Sequence, residues 1–316
     1  MTMTGDGQRS LVHSALFYHS EREYVDLLVP VISEWLSTAQ PVLISVPGRK
    51  MALLRDALDA VAGDVTENLV MVDITEVGRN PGRLLGIAGS FVQRHRNRPV
   101  GIIGEPVWPG RTAAEYRACV QHEALVNIAL AGYEVTVLCP YDASRLADSA
   151  LADARLMHPM IWQGGSHRHN PEYAVDVALL RSNEPLTTSP AAVTYTVCEL
   201  ADLRDARRCC IRYARLLGMS ADRVADVQLI ATELATNSLR HTGGACRLAF
   251  WYQDEYLVCE ARDIGQLADP LAGRRPSQSG LFVVNAVADL VRTYTCGSGT
   301  TIQAYVRLDR FTDESS

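Results

Sequence analysis

The chain has 316 residues, of which 47% are hydrophobic and 21% are charged, and its net charge is −6. The length predicts two globular domains, and the composition excludes a fibrous or disordered protein. The acidic balance and the lack of a dense basic stretch argue against nucleic acid as a partner, because phosphate contacts need clustered cations. No apolar run approaches the roughly 20 residues that cross a bilayer, and no hydrophobic signal core follows Met1, so we expect a cytoplasmic protein with no membrane partner.

The first half of the chain alternates short apolar runs with longer amphipathic runs, which predicts an α/β fold with a doubly wound, parallel sheet. Ser20 and Glu23 form a capping-box pattern ahead of apolar residues at helical spacing, which predicts a helix from about Glu21 to Thr38. Ligands of such sheets bind beyond the carboxyl ends of strands, so Gly104–Pro106 and Cys139–Asp142 mark the expected mouth of a site. The predicted strands are Pro41–Pro47, Leu69–Asp73, Val100–Gly104 and Glu134–Pro140.

Residues that punctuate secondary structure accumulate between about Gly164 and Pro190, and we place the domain boundary near Pro185 to Pro190. The segments beyond it predict a strand, two helices, two strands, a helix and two further strands. This order is typical of an α+β sandwich rather than of a second doubly wound sheet. The predicted bounds of the first six elements are Tyr195–Leu200, Asp202–Leu217, Asp222–His241, Ala245–Tyr252, Tyr256–Asp263 and Gly280–Leu290.

Two pairs of residues in the second half have the chemistry to contact a ligand. Glu233 and Asn237 lie one turn apart on a predicted helix, where the Asn237 amide can give Mg²⁺ an oxygen and the Glu233 carboxylate can accept a hydroxyl proton. Asp263 and Gly265 follow a predicted strand, where a carboxylate can accept a hydrogen bond from an exocyclic amine and glycine permits close backbone approach. Taken alone, the first pair is more often a solvated helix face and the second is more often a turn.

Two later signals can likewise indicate either a ligand contact or ordinary secondary structure. Ser279 and Gly280 begin a predicted helix whose free amide groups can face phosphate oxygens, although Ser279 is equally typical of a simple helix cap. Gly297, Gly299 and Thr300 precede an alternating strand and, taken alone, predict a plain hairpin turn.

The order and spacing of these signals resemble a known family. The motifs are ELATNSLRHTGG, ARDIG, SGLFVVNAVAD and GSGTTIQAYV, and they cover about Tyr195 to Leu308. Together they resemble the ATP-binding module with the Bergerat fold that gyrase, Hsp90, histidine kinases and MutL share, the GHKL superfamily. Within it, the short module without an upstream phospho-acceptor helix is most similar to anti-sigma-factor serine/threonine kinases of Gram-positive bacteria.

The resemblance implies a role for each matching residue. Asn237 would coordinate Mg²⁺, Glu233 would be the catalytic base, and Asp263 and Thr300 would hold the adenine of ATP. The segment Gln266–Ser279 would be a lid over the nucleotide, with arginines in the place of a phosphate-binding lysine. The other implied nucleotide-binding residues are His241, Gly265, Arg274, Arg275 and Gly280.

One residue departs from the family pattern at the end of the lid. The family usually has two glycines that flank a single residue there, and Gln278 occupies the first of these positions. Phosphoryl transfer depends on positioning, so this departure implies slower transfer and leaves open a nucleotide-binding switch with little or no activity.

The first half contains no established catalytic spacing. A phosphate loop would need Gly-x-x-x-x-Gly-Lys-Ser/Thr, and the chain offers VPGRKMALL, so Lys50, its only lysine, is predicted to be a solvated residue at a helix start. His122 and Glu123 are neighbours on a predicted helix and point in different directions, which favours a structural role. His167 and His169 have no further ligands at a suitable spacing, so we assign them no metal.

Several motifs of the first half together resemble the MEDS (DcmR-type) sensory domain of bacterial and archaeal regulators. They are FYHSEREY, VPGRKMALL, ITEVGRNPGR, GEPVWPGRTAAEY, HEALVN and CPYD, within about Leu11 to Tyr173. The resemblance implies a RecA-like α/β layer that senses an undefined small molecule. The implied pocket residues are His19, Glu105, Trp108, Tyr116, His122 and Tyr141.

The two resemblances predict a sensory domain at 11–173, a linker at 174–193 and an ATP-binding kinase domain at 194–310. They imply a regulator that phosphorylates an anti-sigma antagonist and so controls the availability of a sigma factor. The kinase family also implies a homodimer. The alternatives are a nucleotide-dependent or partner-binding switch and a detached histidine-kinase module.

Overall fold

The computed structural model describes residues 10–62, 67–275 and 279–309. The chain divides into two compact units, Met1–Ser182 and Asn183–Ser316. A seven-stranded sheet lies in the first unit and a five-stranded sheet in the second. Within the described residues, none of the helices has the length and the apolar character needed to span a bilayer.

The first unit is built on a largely parallel sheet with the strand order β3-β2-β4-β5-β1-β6-β7. Its last pair, β6 and β7, is antiparallel. The strands are β1 (Leu11–Tyr18), β2 (Val42–Val46), β3 (Leu69–Asp73), β4 (Val100–Gly104), β5 (Val135–Asp142), β6 (Met160–Gln163) and β7 (Ser166–His169). The helices are α1 (Glu21–Ser37), α2 (Gly48–Ala62), α3 (Pro81–Arg94), α4 (Ala113–Ala129), α5 (Asp148–Met157) and α6 (Val175–Ser182).

Helices cover both faces of this sheet, as the side chains of β2 show. Ile44 lies in a buried cluster with Leu28 and Ile32 of α1. Leu43 points the other way and lines a small cavity with Leu84 of α3 and with α4. Because successive strand residues face opposite sides, both faces of β2 are covered. The α/β class and the doubly wound arrangement are confirmed, and the RecA-like detail stays a prediction.

Strand β1 is absent from the sequence prediction. His13 and Ser14 interrupt its apolar run LVHSALFY, so the run lacks the pattern of a buried strand. Both side chains are buried and have polar partners inside the unit: Ser14 Oγ and His167 Nδ1 share a hydrogen bond of 2.7 Å. These polar partners come from distant parts of the chain and allow β1 to be buried although it contains two polar residues.

The second unit is an α+β sandwich, which confirms that prediction. Its sheet has the order β11-β12-β10-β9-β8, and every pair is antiparallel. The strands are β8 (Val193–Val197), β9 (Cys246–Gln253), β10 (Tyr256–Asp263), β11 (Leu290–Cys296) and β12 (Gly299–Arg307), and the helices are α7 (Leu203–Leu216), α8 (Ala221–Thr242) and α9 (Gly280–Val287). Helix α6 lies within the range predicted as a linker, 174–193, and belongs to the first unit.

Helix α8 supports the site of the second unit. Its N-cap Ser220 accepts a hydrogen bond from the Arg223 N–H, and it ends at Gly243 in the left-handed region (φ 61°). Val227, Ile230 and Leu234 are almost completely buried against the sheet. Burial of each contributes about 1.5–3 kcal/mol. This apolar face fixes the rotation of α8 about its axis.

Candidate functional site

A cavity of about 570 Å³ lies in the second unit. Its wall is formed by the end of α8, the end of β10, the loop that follows β10, the start of α9, and β12. The wall includes acidic, basic, amide and apolar side chains, so the cavity can hold a ligand that has both a flat apolar part and a charged part. The lining residues include Asn237, His241, Asp263, Gly265, Leu271, Arg275, Ser279, Leu281, Thr300 and Ile302.

Helix α8 presents two polar residues to this cavity. Asn237 and His241 both line it, and they lie one turn apart. Since Leu234 and Ser238 are buried on the side that packs against the sheet, the helical spacing leaves Asn237 and His241 at the cavity. The predicted face of α8 is thus the one that borders the cavity.

Asp263 is held in place at the end of β10. Its Oδ1 accepts a hydrogen bond from the Gly265 N–H at 2.9 Å, and its Oδ2 accepts one from the Ser238 hydroxyl. Thr300 is the partner of Asp263 in the β10–β12 register, and its Oγ1 donates to the Gly265 carbonyl at 2.7 Å. The result is an oriented carboxylate and a hydroxyl at one end of the cavity.

Two glycines allow close contacts around the cavity. A Cβ on Gly265 would lie 2.4 Å from Thr242 Cγ2, and a Cβ on Gly280 would lie 2.5 Å from Glu233 Oε2. Only a residue without a side chain fits such contacts without displacement. The Glu233 carboxylate therefore rests against the first residue of α9, next to the lining residue Ser279.

The predicted nucleotide residues fall into three groups. Glu233 and Gly280 touch each other beside the cavity. Arg274 does not line the cavity: it is buried within the unit, and this burial lowers its pKa to about 10. The departure from the family pattern, Gln278, lies outside the described residues. The residues on the wall are Asn237, His241, Asp263, Gly265, Arg275 and Thr300.

The described part of the predicted lid is tied to α9. Gly273 has a positive φ of 74°, and a Cβ there would lie 2.7 Å from Leu281 Cβ. Asn285 of α9 donates through Nδ2 to the Gly273 carbonyl at 3.2 Å and to the Leu281 carbonyl at 3.1 Å. The segment up to Arg275 is thus packed onto the same helix start that borders the cavity.

In the first unit, the predicted pocket residue Glu105 is a buried carboxyl group. It is 1% exposed and accepts a hydrogen bond from the Tyr18 hydroxyl at 2.7 Å. Burial raises the pKa of Glu105 to about 7. Lys50 lies 4.7 Å from the ring centroids of both Tyr18 and Tyr24. Lys50 thus lies in the first turn of α2, as predicted, but it is only partly exposed, because the aromatic faces attract its ammonium group.

The other predicted pocket residues lie in separate surroundings. The exposed His19 contacts Glu23, with 3.4 Å between His19 Nδ1 and Glu23 Oε2. His122 lines a small apolar cavity of about 40 Å³, and the other five predicted residues are not on its wall. The remaining contacts are Arg111 over the Trp108 ring at 3.4 Å, the Tyr116 hydroxyl donating to Asp153 Oδ2 at 2.7 Å, and the Tyr141 ring 5.6 Å from the His158 ring.

Sequence reasoning missed a buried cluster in this unit. His13, Glu123, Cys139 and His158 bring their polar atoms together, each with its ligand atom within 4.8 Å of the others. They come from distant parts of the chain, so no spacing rule connects them. The one available signal is that His13 interrupts an apolar run, which a buried strand tolerates only where the side chain has a polar partner.

Comparisons with known proteins agree with the division into two units. The family model described as the "MEthanogen/methylotroph, DcmR Sensory domain" (MEDS) matches residues 12–159. The model described as "Histidine kinase-like ATPase domain" matches residues 196–306. No curated protein matches the chain significantly.

A solved structure of the RsbU and RsbW domains of Rv1364c from Mycobacterium tuberculosis is also similar. It is 18% identical, with a TM-score of 0.31, over 37% of this chain and 33% of that chain. The matched part thus spans about a third of that solved chain. The two family matches identify the units: the chain carries a MEDS sensory domain followed by a histidine kinase-like ATPase domain.

Proposed function

We propose that the second unit binds ATP with Mg²⁺ and phosphorylates a serine or threonine of a partner protein, under the control of the first unit. The observation that carries the proposal is the convergence of Asn237, Asp263 and Thr300 on one cavity within the ATPase-family domain. Its volume of about 570 Å³ lies within the range of roughly 300–1,000 Å³ that is usual for small-molecule sites.

The adenine end of the site is the one formed by Asp263. Its carboxylate is oriented by Gly265 and Ser238, and a carboxylate oxygen that accepts one hydrogen bond can still accept another from the exocyclic amine of adenine. Apolar side chains of the same cavity can cover the faces of the base: Leu271, Leu281 and Ile302. This combination of one directed acceptor and apolar walls favours a purine that carries an amine.

The phosphate end is formed by α8, Arg275 and the start of α9. Asn237 Oδ1 would hold Mg²⁺, which supplies charge neutralisation for the phosphates. Arg275 is exposed and lines the cavity, so its guanidinium can contact phosphate oxygens. The start of α9 adds backbone amide groups, of which the Phe282 N–H already donates to the Ser279 hydroxyl, and a helix N-terminus stabilises anions.

Glu233 is the proposed catalytic base. Its carboxylate lies against Gly280 and next to the phosphate end, at a position from which it can accept the proton of an attacking hydroxyl group. A serine or threonine hydroxyl needs such a base, because it is a weak nucleophile at neutral pH.

The proposed partner is an anti-sigma antagonist, whose phosphorylation would change the availability of a sigma factor. This step rests on the similarity of the second-half motifs to anti-sigma-factor kinases, and the same similarity suggests a homodimer. The first unit belongs to a family of sensory domains, so we propose that a small molecule bound there changes the activity of the second unit.

The function is tested by phosphoryl transfer to a purified anti-sigma antagonist. The full chain with Mg²⁺ and γ-labelled ATP is expected to label the antagonist on a serine or threonine, and a variant of the antagonist that lacks the hydroxyl should stay unlabelled. ATP binding without transfer would overturn the kinase proposal in favour of a nucleotide-dependent switch. Acid-labile, alkali-stable label would indicate phosphohistidine and the histidine-kinase alternative.

A further inference from the structure

Four side chains of the first unit converge at its buried centre. His13 comes from β1, Glu123 from α4, Cys139 from β5, and His158 directly follows α5. None of them is more than 2% exposed. Each offers one ligand atom, and these four atoms lie within 4.8 Å of one another. A nitrogen, nitrogen, sulfur and oxygen donor set is thus assembled from four separate elements.

The distances match the edges of a tetrahedral coordination shell. His13 Nε2 and His158 Nε2 each lie 3.3 Å from Glu123 Oε2, and His13 Nε2 lies 3.4 Å from Cys139 Sγ. Ligand atoms that lie about 2.0–2.3 Å from a tetrahedral metal are roughly 3.3–3.7 Å apart. Three of the six distances between donor atoms therefore match a tetrahedral shell, and the other three are no longer than 4.8 Å.

Hydrogen bonds to the outer nitrogens fix the orientation of both imidazoles. His158 Nδ1 lies 2.7 Å from the Ala154 carbonyl, and a carbonyl oxygen can only accept, so Nδ1 carries the proton. His13 Nδ1 lies 3.1 Å from Asn127 Oδ1. The Asn127 amide nitrogen donates to the Met157 carbonyl at 2.8 Å, so its oxygen must face His13 and accept from it. Both neutral rings thus direct an Nε2 lone pair towards the centre, as metal-binding histidines do.

The Cys139 thiol can donate to His13 Nε2 at 3.4 Å, but the Glu123 carboxylate and the imidazole lone pairs repel one another unless a cation lies between them. Two imidazole lone pairs face a carboxylate oxygen, away from water. Among the described residues, neither oxygen of Glu123 accepts a well-aligned hydrogen bond, and His158 Nε2 also lacks one. Charging both imidazoles instead would place two buried cations in contact, with ring centroids 4.1 Å apart. One metal ion satisfies all four groups at once.

We propose that His13, Glu123, Cys139 and His158 bind a divalent transition metal ion, with Zn²⁺ as the preferred ion. Imidazole and thiolate donors favour Zn²⁺ over Mg²⁺ and Ca²⁺, which prefer oxygen ligands. Four protein ligands make a closed site, which is typical of structural zinc. The ion would join β1, β5, α4 and the end of α5, and it would lie beside the small cavity that Glu123 and Cys139 also line.

The first test is the metal content of the full chain, purified without a polyhistidine tag. We expect about one zinc ion per chain in the wild type and less than a tenth of that in His158→Ala. His169→Ala is the matched control, because His169 is an exposed histidine outside the cluster, and it should keep the full amount. Wild-type protein without bound metal, or His158→Ala with full occupancy, would overturn the proposal.

The second test uses Co²⁺ and does not depend on the stability of His158→Ala. Wild-type protein stripped by a chelator and titrated with Co²⁺, in the absence of nucleotide, should show the visible bands of tetrahedral Co²⁺ and a thiolate-to-metal charge-transfer band. Cys139→Ser should lose the charge-transfer band. A wild-type protein with neither feature would show that a shared proton, and not a metal, satisfies the cluster.

Discussion

Glu233→Gln is expected to lower the rate of phosphoryl transfer at least about 100-fold while the Kd for ATP changes less than about 2-fold. A positioned general base contributes roughly 10²- to 10⁴-fold to the rate, and glutamine keeps the shape of glutamate but cannot take up the proton. The isosteric side chain also preserves the close contact with Gly280, so the cavity should be unchanged. Initial rates of label transfer and a calorimetric Kd, measured on the same preparation, separate the two effects.

The matched control for this variant is Glu255→Gln. Glu255 is an exposed carboxylate between β9 and β10, and it does not line the cavity. Its loss should leave both the rate and the Kd unchanged. Transfer at the wild-type rate by Glu233→Gln would contradict the role of Glu233 as the base. An equal loss of ATP affinity would instead make Glu233 a binding residue.

Gly299→Ala is expected to lower the free energy of unfolding of the second unit by about 2–4 kcal/mol and to weaken ATP binding. Gly299 has a φ of 142°, and a Cβ there would lie 2.1 Å from the Asp263 carbonyl oxygen. Because this neighbour is backbone, it cannot move without shifting the end of β10, where the Asp263 carboxylate is oriented. One substitution in a hairpin should therefore affect both stability and the site.

Gly297→Ala separates this effect from a general loss of turn flexibility. It lies in the same hairpin, and a Cβ there would meet nothing within 4 Å. Hydrogen exchange of peptides from β10 and β12, followed through urea unfolding of the full chain, reports the stability of the second unit alone. Equal unfolding midpoints for Gly299→Ala and Gly297→Ala would show that the predicted clash is relieved at no cost.

Some strands could be predicted to the residue. The predicted bounds of Leu69–Asp73, Val100–Gly104 and Tyr256–Asp263 agree with the structure. The predicted helix Gly280–Leu290 is too long, because α9 ends at Val287 and Leu290 already begins β11. Apolar residues continue on both sides of Asp289, so periodicity alone cannot locate the change from helix to strand.

The two sites differ in how much the sequence reveals. The predicted nucleotide residues lie in short motifs in chain order, so the sequence alone indicates Asn237, Asp263 and Thr300, and all three line one cavity. The burial of Arg274 could not be predicted, because it depends on how the loop packs. Likewise, His13 and His158 meet only because α5 leads into β6, which pairs in parallel with β1 and places Met160 opposite Ser14.

The measurement that tests the central claim most directly is a calorimetric titration of ATP into the full chain, with and without Mg²⁺, alongside Asn237→Ala. We predict micromolar binding in the presence of Mg²⁺ that is lost in Asn237→Ala, because this residue supplies the amide oxygen for the ion at the phosphate end of the cavity. No heat and no thermal stabilisation of the wild type at millimolar ATP would contradict the claim that this cavity is an ATP site.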